Sequence, residues 1–152
     1  MRLYRLGTAA HPVWDGAGAA AHGGRWNPIG TPVIYAAGSL ALAMLERLVQ
    51  RRGFGATLVV EAEVPDGLPV EDLLAAPPAA WRSLGSTAAV AAGARWLAEG
   101  RTALLRVPSA VVPREANYVV NPTHPDAARI RVGRPQPLDW DPRLFGIPAP
   151  RR

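Results

Sequence analysis

Two positions in this sequence are spaced for chemistry. The first is Arg25, in Gly23-Gly24-Arg25-Trp26-Asn27, followed at once by Pro28-Ile29-Gly30-Thr31-Pro32. Glycines permit close backbone approach and left-handed φ. An arginine on such a segment offers a planar fork of donors that matches phosphate or carboxylate. The second is Glu46, at the border of the apolar face of the run Leu40–Val49, near Leu42 and Val49. A carboxylate there reads either as a rim group paired with an arginine or as a charge that acts on developing positive charge. Tyr35 reads more readily as a core ring than as a stacking surface for a ligand. Ser109, after a proline at a strand end, and Asn117 read as side chains that bond to nearby backbone.

The elements that must position these groups follow from periodicity and punctuation. Arg2–Leu6 predicts a first strand, with Arg5 on the side opposite Tyr4. Residues 8–32 predict a long Gly/Ala/Pro-rich loop, of a length that is usually functional. Val33–Ala37 predicts a buried strand. Ser39 caps a helix over Leu40–Val49, with Gly53 as its stop. Thr57–Val64 predicts a strand and is followed by a proline-rich loop. Ser86 caps a second helix over Thr87–Glu99, ended by Gly100. Ala103–Val107 and Asn117–Val120 predict strands, Arg129–Val132 a half-exposed strand, and Leu138–Phe145 a last packing element in a proline-rich tail that begins at Gly133. Short mixed strands with two helices and no internal repeat predict one α+β domain over residues 1–152, with its core at about 3–145.

Composition narrows the chemistry. A chain of 152 residues, 49% hydrophobic and 19% charged, can bury a core without staples. All 17 basic residues are arginine, which removes Schiff-base lysines and the P-loop lysine. The net charge of +5 favours an anionic partner. The arginines are scattered, however, with 51–52 and 151–152 as the only adjacent pairs, so direct nucleic-acid binding is not expected. The absence of cysteine suits the cytoplasm, and no apolar run has transmembrane length. His11, His22 and His124 lack ligand spacing, so no metal is expected. Neither a nucleophile elbow nor a GxGxxG that opens a helix is present.

Several motifs taken together resemble one family. Trp14-Asp15-Gly16-Ala17-Gly18-Ala19, Gly24-Arg25-Trp26-Asn27, Gly30, Tyr35 and Ser39-x-x-Leu42-Ala43-x-x-Glu46 are similar to the RES domain. So are Arg106-Val107-Pro108-Ser109-Ala110-Val111-Val112-Pro113-x-Glu115-x-Asn117 and Asn121-Pro122-x-His124-Pro125-Asp126. The arginine, glutamate and serine that name the family fall on Arg25, Glu46 and Ser109. The resemblance spans Leu3 to about Phe145. It implies a fold like that of ADP-ribosyltransferase toxins, and a toxin of a toxin–antitoxin pair that attacks NAD⁺ as substrate without a further cofactor. Its partner would be an Xre-like antitoxin, and homodimers within a larger complex are also implied.

In that reading Glu46 would stabilise the oxocarbenium-like state of nicotinamide–ribose cleavage, as carboxylates do in glycoside cleavage. Arg25 would grip the pyrophosphate and Tyr35 would bound the nicotinamide. Ser109, Asn117, Arg5 and Asn27 would bond the ribose or carboxamide, with Trp26 beside them in the substrate site. Three outcomes stay open: hydrolysis, phosphorolysis with inorganic phosphate, and transfer of ADP-ribose to a protein.

Overall fold

The computed structural model of the chain describes residues 1–50 and 56–145. The strands form one eight-stranded sheet, which takes in the predicted strands and two short, unpredicted ones. Its strands are β1 Arg2–Gly7, β2 Ile34–Ala37, β3 Thr57–Glu63, β4 Val70–Asp72, β5 Leu104–Pro108, β6 Ala116–Val120, β7 Arg131–Val132 and β8 Gln136–Leu138. The order is β4-β5-β6-β2-β1-β3-β7, with β8 also on β3. The β4–β5 pair is parallel and all the other pairs are antiparallel. The helices are α1 Ala17–His22, α2 Leu40–Val49 and α3 Thr87–Glu99.

One face of the sheet buries Leu3, Ile34, Ala36, Ala62, Leu104, Tyr118 and Val120, closed over by Leu68, Ile130 and Trp14 from the connections. The other face carries both long helices. Leu105, Val107 and Val119 pack with Ala89, Ala92 and Trp96 of α3 and with Trp26. Ala37, Tyr4 and Leu6 pack with Leu42 and Ala43 of α2. The caps form as expected: Ser39 Oγ accepts from Leu42 N at 3.1 Å and Ser86 Oγ from Ala89 N at 3.2 Å. Gly100 ends α3 in the left-handed conformation, φ 57. The ion pairs among the described residues join partly exposed side chains and add little stability, so packing carries the fold.

Four expectations are corrected. The stretch 8–32 is not structureless: it contains α1, started by Asp15 Oδ1 accepting from Ala17 N at 2.8 Å, and an isolated bridge between Gly24 and Asn27. The proline-rich loop after β3 includes β4, a short edge strand that docks in parallel on β5. The predicted strand 129–132 is split. Pro125 starts a 3₁₀ helix over Pro125–Arg129, Ile130 turns into the core, and only Arg131–Val132 joins the sheet. The tail from Gly133 is not merely a packing element, because β8 pairs with β3 before the 3₁₀ turn Pro142–Phe145. Gly53, the expected stop of α2, lies outside the described residues.

α3 approaches the Gly23–Asn27 connection most closely at Gly93. A Cβ there would sit 1.8 Å from the backbone oxygen of Trp26. The obstacle is backbone, so it cannot rotate away. Gly93→Ala is therefore expected to lower the urea-unfolding free energy by about 3 kcal/mol; a loss below ~1 kcal/mol would mean that α3 shifts freely over the Arg25–Asn27 segment.

Candidate active site

The cleft opens where the sheet parts. β1 and β2 share one registered pair, Tyr4↔Ala37, whereas β1 pairs with β3 over its whole length and β2 with β6 over all four residues. Beyond that single pair, Arg5 crosses the seam and its Nη1 donates to the Tyr35 carbonyl at 2.8 Å, a group a continuous sheet would have paired with backbone. Burial pushes the Arg5 pKa down, and Asp15 opposes the shift. A cavity of about 570 Å³ lies along this seam, lined by Tyr4, Arg5, Arg25, Tyr35, Glu46 and Asn117 among others.

Glu46 reaches the cleft from α2, flanked by Ala43 one turn before it and Val49 and Gln50 one turn after. Its Oε1 accepts from Ser109 Oγ at 2.7 Å and from Asn117 Nδ2 at 2.6 Å, and among the described residues Oε2 carries no hydrogen bond. The serine is itself fixed, since its Oγ accepts from the backbone N–H groups of Val111 and Val112, both at 3.0 Å. Ser109 is fully buried and Asn117 lines the cleft. Ser109 therefore orients the carboxylate and is a positioning residue. The rim-pair reading of Glu46 fails: its partners are a hydroxyl and an amide, not an arginine. Sequence reasoning proposed backbone bonds for Ser109, and these exist alongside the one to Glu46.

The Arg25–Asn27 segment divides its roles. Arg25 lines the cleft, but its Nη1 donates to the carbonyls of Trp81 at 2.7 Å and Ser83 at 3.0 Å. It thereby ties down residues 78–86, where Ala80 holds a left-handed φ of 54. That structural task could not be read from a glycine-rich loop. Trp26, expected in the substrate site, is only 2% exposed and stacks on Trp81 with centroids 6.2 Å apart. It packs with α3 in the core and also lines the cleft. Asn27, expected to bond substrate, is buried and spent: Nδ2 donates to the carbonyls of Ala19, Pro28 and Thr31, and Oδ1 accepts from Tyr35 Oη at 2.7 Å. It is the clasp that closes its own loop.

Tyr35 serves both purposes. Its ring lines the cleft, while its hydroxyl also accepts from Trp26 N at 3.0 Å. Gly24 is required for this contact, because a Cβ there would lie 2.5 Å from the Tyr35 hydroxyl. Burial pushes the phenol up to about 12, against the opposing effects of the Trp26 N–H and Arg25. Sequence reasoning missed Tyr4, Arg47 and Leu84 as cleft residues. For Arg47 the signal was present in its spacing, four residues after Ala43 on one helix face; for Leu84, on a connection, there was none.

The phenol has a pH consequence. An unfolded tyrosine ionises near pH 10 and folded Tyr35 only at about 12, so between these values the folded state holds the extra proton. Stability contributed by the neutral phenol is complete below pH 10 and declines by about 2–3 kcal/mol as pH rises to 12. Tyr35→Phe should remove that component of the pH–stability curve. At pH 7 the same substitution should cost about 1–3 kcal/mol, because Asn27 Oδ1 and Trp26 N–H lose their partner. Urea titrations across pH 7–12 check both, and an unchanged slope above pH 10 would mean that Tyr35 ionises freely.

Among the described residues no cluster of His, Asp and Glu could hold a metal ion, and no helix is long and apolar enough to cross a membrane. The model of the RES domain matches residues 2–141. The chain is 41% identical over 138 residues to the Prs ADP-ribosylating toxin of Sphingobium sp. (strain YBL2), an alignment covering 86% of each chain. It is 35% identical to Toxin Res of Photorhabdus laumondii subsp. laumondii, covering 83% of this chain and 85% of the relative. Its fold is similar to a chain in the crystal structure of the M. tuberculosis MbcT–MbcA toxin–antitoxin complex, with TM-score 0.71 and 24% identity, over 95% of this chain and 86% of that one. With its clamped Glu46, its cleft and these relatives, the chain belongs to the RES domain family.

Proposed function

We propose that this protein is the toxin of a toxin–antitoxin pair and cleaves the nicotinamide–ribose bond of NAD⁺. The observation that carries the reading is the Glu46 carboxylate, held at Oε1 by two neutral donors with Oε2 unbonded beside an open cleft. Two neutral donors orient the carboxylate without neutralising it, so its charge is preserved for a cation. When the glycosidic bond breaks, its electron pair goes to the ring nitrogen and nicotinamide leaves neutral, so no general acid is required. Positive charge develops on the ribose, where a fixed carboxylate is worth most. Water, which releases a proton to solvent, or phosphate then forms the new bond to the same carbon. Tyr35 bounds the nicotinamide side of the cleft, and Arg5 and Arg25 give the pocket a net attraction for the dinucleotide.

Transfer of ADP-ribose to a protein is the second reading, favoured by the printed name of the Sphingobium relative. The first bond cleavage is the same and only the nucleophile differs. A cognate antitoxin and action in the cytoplasm belong to the same proposal, supported by family membership.

Purified protein incubated with NAD⁺, with and without phosphate and with an acceptor lysate, separates the outcomes by mass spectrometry. Free ADP-ribose reports hydrolysis, its 1″-phosphate reports phosphorolysis, and a modified polypeptide reports transfer. Glu46→Gln should lower turnover about 10²–10³-fold in each case; wild-type turnover in that variant would refute the role. Ser109→Ala, which leaves Asn117 in place, should cost about 10–100-fold in kcat with a smaller change in KM.

A further inference from the structure

Three arginines line the cleft, and two are committed to the protein. Arg5 Nη1 is held by the Tyr35 carbonyl, and Arg25 Nη1 by the carbonyls of Trp81 and Ser83. Arg47 is different. It makes no hydrogen bond or ion pair among the described residues, and its Nε is withdrawn from solvent without a partner. Arg106 Nε shares that condition, but Arg106 is anchored through Nη1 to Asp72 at 2.8 Å and is not among the residues that line the cleft. Arg47 thus brings to the cleft a guanidinium that the protein leaves unpaired, a cation whose hydrogen-bonding capacity is met when a ligand supplies the acceptor.

The position suits an anion. Arg47 adjoins Glu46 in sequence, and Ala43 and Gln50 on the same face of α2 also line the cleft. With no lysine in the chain, a planar arginine fork is the available cation for a phosphate-type group. We propose that Arg47 is the oxyanion anchor of the cleft, binding a phosphate-type group beside the Glu46 carboxylate. The group comes either from the diphosphate of the dinucleotide or from free inorganic phosphate, and the first source rests on the NAD⁺ reading above.

The test compares wild type, R47Q and R47K, with folding checked by circular dichroism. If the group is the dinucleotide's diphosphate, R47Q raises the KM for NAD⁺ about tenfold or more with kcat within about twofold, and R47K recovers part of it. If it is free phosphate, KM for NAD⁺ holds and the phosphate dependence of turnover weakens by a similar factor. Unchanged values for both in folded R47Q overturn the proposal. A second measurement needs neither turnover nor a variant. Phenylglyoxal labelling of Arg47 in the wild-type chain, read by mass spectrometry, should fall in the presence of inorganic pyrophosphate or phosphate. Equal labelling with and without both anions overturns the proposal. A wild-type protein that leaves NAD⁺ intact refutes the functional reading, while the labelling still decides the role of Arg47.

Discussion

The seam between β1 and β2 is the constraint on which the rest of the structure depends. A sheet that paired these strands throughout would have no cavity and would place α2 over a closed surface. One registered pair, Tyr4↔Ala37, joins the two halves, and the Arg5 guanidinium then satisfies the exposed carbonyl of Tyr35. A charged side chain in place of a ladder bond is costly unless it is itself bonded, and the hydrogen bond offsets that cost. The parted strands leave a cavity whose lining is mostly apolar, and the polar functional groups converge on it.

Glu46 is held by groups distant in sequence. Ser109 lies just past β5 and Asn117 within β6, while Glu46 comes from α2. The hairpin register of β5 and β6 brings the two donors together, with Val107 opposite Asn117 and Pro108 opposite Ala116. The same register turns Asn117 to the face that carries α2. The carboxylate is thus fixed by the sheet and not by its own helix.

The Gly23–Asn27 segment shows how scaffold and site share residues. Asn27 closes the loop, Trp26 supports α3, Tyr35 bridges both through its hydroxyl, and Arg25 restrains residues 81–83. Gly24 and Gly93 are there because oxygen atoms of neighbouring groups occupy the space a Cβ would take. The segment reads as a ligand loop in sequence because polar and aromatic residues cluster there. In the fold, much of that polarity is consumed internally, while Gly24, Arg25, Trp26 and Tyr35 remain on the cleft.

Local physics was legible in the residues themselves. The caps at Ser39 and Ser86, the stop at Gly100 and the alternation of β1, β2, β5 and β6 depend on neighbours a few positions away, and the helix spans they predict are the ones observed. Glu46, Ser109 and Asn117 were identifiable as a set through their spacing in the family motifs. What required the tertiary structure was the direction of each bond. The tether from Arg25 to the loop before α3, the clamp of Ser109 and Asn117 on Glu46 and the parallel docking of β4 on β5 all join segments far apart along the chain. Periodicity carries no information about such pairings, because which donor meets which carbonyl is decided only when the sheet parts and the connections fold across it.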